Sequence, residues 1–169
     1  AGYPAMSLAA SNSPDAPALA PGAVFAQPSA LPFHAPDFAA IRDADFQPAI
    51  EQGMAAQLAE IAAIADNPDP PTIENTLVAL ERSGQLLSRA YGAFSAMVGA
   101  NTNDTLDAAE MALSPKMAAH SDAITLNSKL FARLDALYAR RGELAPGSEE
   151  ARLLEVTWQR FVNEGARLS

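Results

Sequence analysis

The stretch TIENTLVALERSGQLLSRAYGAFSAMV, residues 72–98, decides the fold. Ile73, Leu77, Leu80, Gly84, Leu87, Tyr91, Phe94 and Val98 recur at alternating steps of four and three. That is the period of one face of an α-helix, and no run in the chain alternates with the period of a strand. Thr72 is the expected N-cap, and an unbroken helix to Gly99 would be roughly 40 Å long. Gly84 on the seam costs about 1 kcal/mol of helix propensity. Close approach of a neighbouring helix is the expected compensation, with a simple kink as the alternative.

The same period extends to both sides. Upstream, Phe46, Ile50, Met54, Leu58, Ile61 and Ala65 form a stripe that Asp43 or Asp45 can cap and Asn67-Pro68 ends. Downstream, a third helix starts at Asn103 or Asp104 and carries Leu106, Leu113 and Met117 to about Leu126, with Pro115 expected to kink or split it. Asn127 or Ser128 caps a fourth, with Leu130, Phe131, Leu134, Leu137 and Tyr138 inward. Arg140, Arg141 and Gly142 read as its end, with cations in the last turn and a left-handed glycine. After a turn at Pro146-Gly147, Ser148 with Glu149 and Glu150 opens a fifth, whose stripe is Leu154, Trp158, Phe161, Gly165 and Leu168. That stripe still runs at Leu168 without a terminating Gly or Pro, as expected of a piece of a longer chain.

Residues 1–40 differ. Pro4, Pro14, Pro17, Pro21, Pro28, Pro32 and Pro36 stand among Ala and Ser, and no Lys or Arg precedes Arg42. Such a run disfavours helix and favours extended backbone. Its start reads as a mobile tail. From Val24 onward, Phe25, Leu31, Phe33 and Phe38 are expected to anchor a strap on the helical body. The expected architecture is all-α: an antiparallel bundle of about five helices, residues 41–169, with a Pro-rich arm over residues 1–40.

Composition narrows the function classes. A net charge of −9 and a pI of 4.5 argue against nucleic acid and against anionic membrane surfaces. No apolar run is long enough to cross a bilayer. The chain has no cysteine, so disulfides, thiol catalysis and thiolate metal sites are excluded. The Pro/Ala-rich start, with Ala rather than Met first, fits a periplasmic protein better than a cytoplasmic one.

MAAHSDAI, residues 117–124, places His120, Ser121 and Asp122 side by side. On a helix these point in three directions: His120 shares a stripe with Leu113, Met117 and Ile124, and Asp122 lies almost opposite. A triad from these neighbours is geometrically implausible. The other histidine, His34, lies in the arm, and no HExxH pair exists to hold a metal. His120 is therefore expected to pack, hydrogen-bonded to backbone or to a neighbouring helix. Glu149 and Glu150 suit the helix dipole; Glu74, Glu81 and Arg82 read as solvated charges; Tyr91, Phe94 and Trp158 read as core. No catalytic, cofactor-binding or metal-ligating residue is assigned.

Four stretches carry a resemblance: LPFHAPDF (31–38), PPTIENTLVALERSGQLLSRAYGAF (70–94), PKMAAHSDAITLNSKLFARLDALY (115–138) and LLEVTWQRFVNEGARLS (153–169). Together they resemble the N-terminal region of bacterial peptidyl-dipeptidases, in the thimet oligopeptidase-like zinc metallopeptidase family. The resemblance covers roughly residues 28–169. It implies a much longer, mostly helical, clam-shaped parent. A zinc ion on an HExxH helix would activate water there and release dipeptides from C-termini of oligopeptides. The zinc ligands and the base belong to the C-terminal part, which would be this chain's partner. His120 matches a family position that is not a zinc ligand. Two alternatives remain: a stand-alone helical protein-interaction module, and a self-contained hydrolase using His120.

Overall fold

Thr72 and Asn75 cap each other. Asn75 N–H donates to Thr72 Oγ1 at 3.0 Å, and Thr72 N–H donates to Asn75 Oδ1 at 2.8 Å. This reciprocal cap opens the decisive stretch, which then departs from a single rod. In the computed structural model, which describes residues 23–167, a π-helical segment Ile73–Val78 leads into an α-helical turn Ala79–Arg82, together α2. Ser83 is extended and Gly84 is left-handed at φ 73°, and only then does α3 run, Gln85–Asn101. The expected continuous second helix is therefore broken. Periodicity does not register the break, because the apolar steps carry across it unaltered.

The other helices lie close to expectation: α1 Asp43–Ala65, α4 Asp104–Thr125, α5 Ser128–Ala139 and α6 Glu149–Asn163. The side chains of Asn103, Asn127 and Ser148 accept from first-turn N–H groups of α4, α5 and α6. At α1 the carboxylate of Asp45 reaches back to the Arg42 N–H at 3.1 Å. Among the described residues there is no strand, and the fold is an all-α helical bundle. No described helix is long and apolar enough to cross a membrane.

Three further expectations change. Pro115 does not split α4, which continues to Thr125. Gly142 is not left-handed; it sits in a short 3₁₀ turn, Arg141–Glu143. The sixth helix does have a terminating glycine. Gly165 at φ 98° closes a Schellman cap in which its N–H donates to Val162 O and the Ala166 N–H donates to Phe161 O. The stripe therefore stops at Asn163, and Leu168 lies outside the described residues, as do residues 1–22 of the arm.

The arm is a weaker strap than expected. Phe25 is buried against Phe46, and Arg89 holds the arm by donating to Phe25 O at 2.7 Å and Ala26 O at 3.0 Å. Leu31, Phe33 and Phe38, expected to be anchors, are exposed. Phe33 and His34 are both left-handed, at φ 59° and 55°, a conformation that costs a non-glycine residue about 1–2 kcal/mol.

Two apolar clusters form the core. One joins Phe46, Ile50 and Met54 of α1 to Leu87 and Phe94 of α3 and Leu106 and Leu113 of α4. The other joins Ile61 and Ile64 of α1 to Leu77 and Leu80 of α2, Ile124 of α4, and the leucines of α5 and α6. The Ser83–Gly84 break thus divides one sequence seam between two clusters. Tyr91, expected in the core, is instead half out of it, whereas Phe94 and Trp158 are buried. The backbones of α1 and α3 approach closely at Gly53, where an added Cβ would lie 2.7 Å from Leu87 Cα. α1 and α3 touch there because Gly53 has no side chain.

Candidate functional site

Between the two clusters, three elements each contribute a polar residue where the apolar stripe would otherwise continue. On α1, Gln57 falls between Met54 and Ile61. On α4, His120 falls between Leu113 and Ile124. At the α2–α3 break, Ser83 and Gly84 fall between Leu80 and Leu87.

The hydrogen bonds among them orient the Gln57 amide and place a proton on His120 Nε2. Ser83 Oγ donates to Leu80 O at 2.7 Å, so it can only accept from Gln57 Nε2, 3.1 Å away. The amide oxygen of Gln57 then faces His120, whose Nε2–H donates to it at 2.8 Å. Glu60, one turn along α1, accepts from the Gly84 N–H at 2.7 Å. The left-handed turn at Gly84 is therefore gripped by α1, and an added Cβ there would lie 2.5 Å from the Gln57 amide.

This tautomer leaves His120 Nδ1 as a bare acceptor, buried and without a partner among the described residues. Burial also lowers the His120 pKa below its ordinary value. A hydrolytic His needs a hydroxyl on one nitrogen and an orienting carboxylate on the other. His120 has an amide on one and nothing on the other. Ser121 and Asp122 are exposed, away from the imidazole. The Ser83 hydroxyl spends its proton on a carbonyl and has no base. The arrangement joins α1, the α2–α3 break and α4 through side-chain hydrogen bonds.

A second polar centre lies at Arg133, buried on α5. Its guanidinium donates to Thr76 Oγ1, Asn67 O, Asp69 O and Asn75 Oδ1, at 2.9–3.2 Å. These neutral acceptors belong to the α1–α2 connection and the start of α2. One cation thus fixes the Pro-rich linker and the capping Asn75 at once.

The remaining candidates are surface charges or packed rings. Glu74 and Arg82 form an exposed ion pair at 2.9 Å, a kind worth about 0–1 kcal/mol. Glu149 and Glu150 occupy the first turn of α6. Trp158 stacks on Tyr138 with ring centroids 3.9 Å apart and donates its Nε1–H to Asp135.

Zinc is the cofactor that the resemblance implies for the parent, and the residues present do not fit it. Among the described residues no group of three or more His, Asp or Glu could hold a metal ion. His34 bonds Ser29 O through Nδ1, and His120 is committed to Gln57.

An open cavity of about 530 Å³ lies beside the arm, lined by Val24, Phe25, Ile41 and Ala93 together with His34 and Arg89. Ser29, Asp37 and Ser88 also line it, and among the described residues no hydrogen bond joins a serine hydroxyl there to the His34 imidazole, whose Nδ1 faces the Ser29 carbonyl.

Gln57, Ser83, Glu60 and Arg133 escaped the sequence reading. A signal existed for two of them: Gln57 and Arg133 both sit at apolar-stripe positions, Arg133 between Leu130 and Leu137. A polar residue in such a register is either buried with partners or absent from a stable fold.

No family model matches the chain. Among curated proteins, it is 47% identical over 141 residues to the dipeptidyl carboxypeptidase of Escherichia coli (strain K12). It is 46% identical over 141 residues to that of Salmonella typhimurium (strain LT2). In both cases 83% of this chain matches 21% of the relative, so the chain spans about a fifth of the relatives' length. Along 83% of its length, this chain is similar to the dipeptidyl carboxypeptidases of these two bacteria.

Proposed function

We propose that this chain is the non-catalytic N-terminal helical part of a zinc-dependent peptidyl-dipeptidase, one that releases dipeptides from the C-termini of oligopeptides. Its role is architectural: the bundle forms one wall of the substrate channel and the C-terminal part carries the chemistry. The identity shared with the dipeptidyl carboxypeptidases over 141 residues carries this reading. Two observations support the division of labour. The sequence contains no HExxH, and Gln57, Arg133 and the Nε2–H of His120 are engaged by structural partners. The Pro/Ala-rich arm favours a periplasmic over a cytoplasmic parent, which cell fractionation checks.

The test is to read the encoded sequence beyond Ser169 and to assay the longer polypeptide. An HExxH downstream, one zinc per chain and dipeptide release from oligopeptides with a free C-terminus support the reading. A frame that stops at Ser169 removes it and leaves the second reading, a stand-alone interaction module. The exposure of Leu31, Phe33 and Phe38 fits that second reading as well as the first; the two differ in what covers these side chains.

A further inference from the structure

We propose that the arm segment Leu31–Phe38 is a docking surface for the remainder of the longer polypeptide, with Phe33 as its anchor. The inference rests on the reading above. Phe33 has φ 59° and ψ 19°, and His34 has φ 55°. Bulky side chains rarely enter the left-handed region, and two in succession are strained. Strain of this kind persists when contacts of the side chain offset it. Among the described residues Phe33 makes none: its side chain is fully exposed, at 101%.

The turn is nevertheless well held. His34 N–H donates to Leu31 O at 2.9 Å, Ala35 N–H donates to Pro32 O at 3.2 Å, and His34 Nδ1 lies 2.8 Å from Ser29 O. The ring is therefore preset to point outward. Leu31 and Phe38 flank it at 43% and 42% exposure, and the open cavity beside the arm presents Val24, Ile41 and Ala93. An exposed aromatic anchor on a preorganised turn, flanked by apolar side chains, is how a binding hot spot is built. Its complement is an apolar pocket wide enough for a phenyl ring.

The occupant that the comparisons favour is intramolecular. The dipeptidyl carboxypeptidases that this chain matches extend far beyond the matched region. Covalent attachment supplies a high effective concentration, so a single anchor suffices where a free partner would need a larger interface.

The chain has no cysteine, so Ala35→Cys places a single thiol beside an unaltered Phe33. Its labelling rate is measured in the 169-residue chain and in the longer encoded polypeptide, cleared of its own cysteines. Each rate is referred to that of the same protein unfolded in guanidinium. The thiol should label almost freely in the short chain and on the order of tenfold more slowly in the long one. Adding Phe33→Ala should restore fast labelling in the long chain.

Equal labelling in both proteins, or protection that survives Phe33→Ala, overturns the proposal. So does protection of the short chain that grows with its concentration, which would make the surface a contact between two copies. A reading frame that ends at Ser169 overturns it as well. Dipeptide release by the long chain is scored separately. An active long chain with an unprotected thiol sinks the docking alone, and a protected thiol in an inactive one sinks the enzymatic reading alone.

Discussion

His120 on α4 and Gln57 on α1, 63 residues apart, meet at 2.8 Å in a polar layer flanked by two apolar clusters. The layer also contains the break between α2 and α3, so one amide holds three helical elements in register. A buried polar layer of this kind is costly when incomplete and specific when satisfied. Here, among the described residues, a single side-chain atom, His120 Nδ1, is unsatisfied.

Truncating either partner should therefore destabilise modestly. His120→Ala and Gln57→Ala should each lose about 1–2 kcal/mol, and the double variant should show coupling of about 1 kcal/mol. Urea unfolding followed by the fluorescence of the single tryptophan, Trp158, measures this. Additive losses would show that the contact contributes nothing of its own.

The same contact sets a pH dependence. Burial lowers the His120 pKa in the folded state, whereas in the unfolded chain it is about 6.5. As pH falls, the unfolded chain takes up the proton first. The contribution from neutral His120 is complete above about pH 6.5 and is lost as pH falls toward the folded-state value. Asp45, held below its ordinary value by the hydrogen bond from Arg42, and Glu51, held down by Lys116, add losses only at more acidic pH. Unfolding at about pH 7.5 and about pH 5.5 should show a loss that His120→Leu removes. An unchanged loss in that variant would assign the slope to other groups.

Three glycines should respond differently to alanine. At Gly53 a methyl would strike the α3 backbone at Leu87, and overpacking of this kind costs about 1–3 kcal/mol or more. At Gly84 the positive φ and the Gln57 amide both oppose it, for a loss of about 2 kcal/mol. At Gly92, inside α3, nothing lies within 4 Å, and alanine should stabilise by about 0.5–1 kcal/mol. Thermal unfolding ranks the three. A destabilised Gly92→Ala would mean that α3 is packed more tightly there than described.

Arg133→Ala should cost about 2–4 kcal/mol, because it leaves the acceptors of the α1–α2 connection unpaired. Arg133→Lys should recover part of this, since one ammonium has three donors for four acceptors. Full recovery by Lys would show that charge alone matters at this position.

Helix periods and caps were legible because they are local. Thr72, Asn103, Asn127 and Ser148 each bond a backbone group of the next turn, and the residue types announce it. The placement of His120 on a packing face was legible for the same reason. The break at Gly84 was not, because the stripe keeps its phase while the backbone turns left-handed. Its causes, the Glu60 and Gln57 side chains on another helix, are more than twenty residues away. The end of α6 was misread because Gly165 fits the stripe's spacing and was counted as a packing position. The outward turn of Phe33 could not be foreseen from hydropathy, which expects large apolar residues to be buried.

The central claim is that this bundle serves a peptidase without performing its chemistry. The most direct measurement is dipeptide release from an oligopeptide with a free C-terminus, run in parallel on the 169-residue chain and on the longer encoded polypeptide, both with zinc supplied. The account predicts release by the longer polypeptide and none by the shorter chain. Dipeptide released by the 169-residue chain itself, and abolished by His120→Ala, would contradict it.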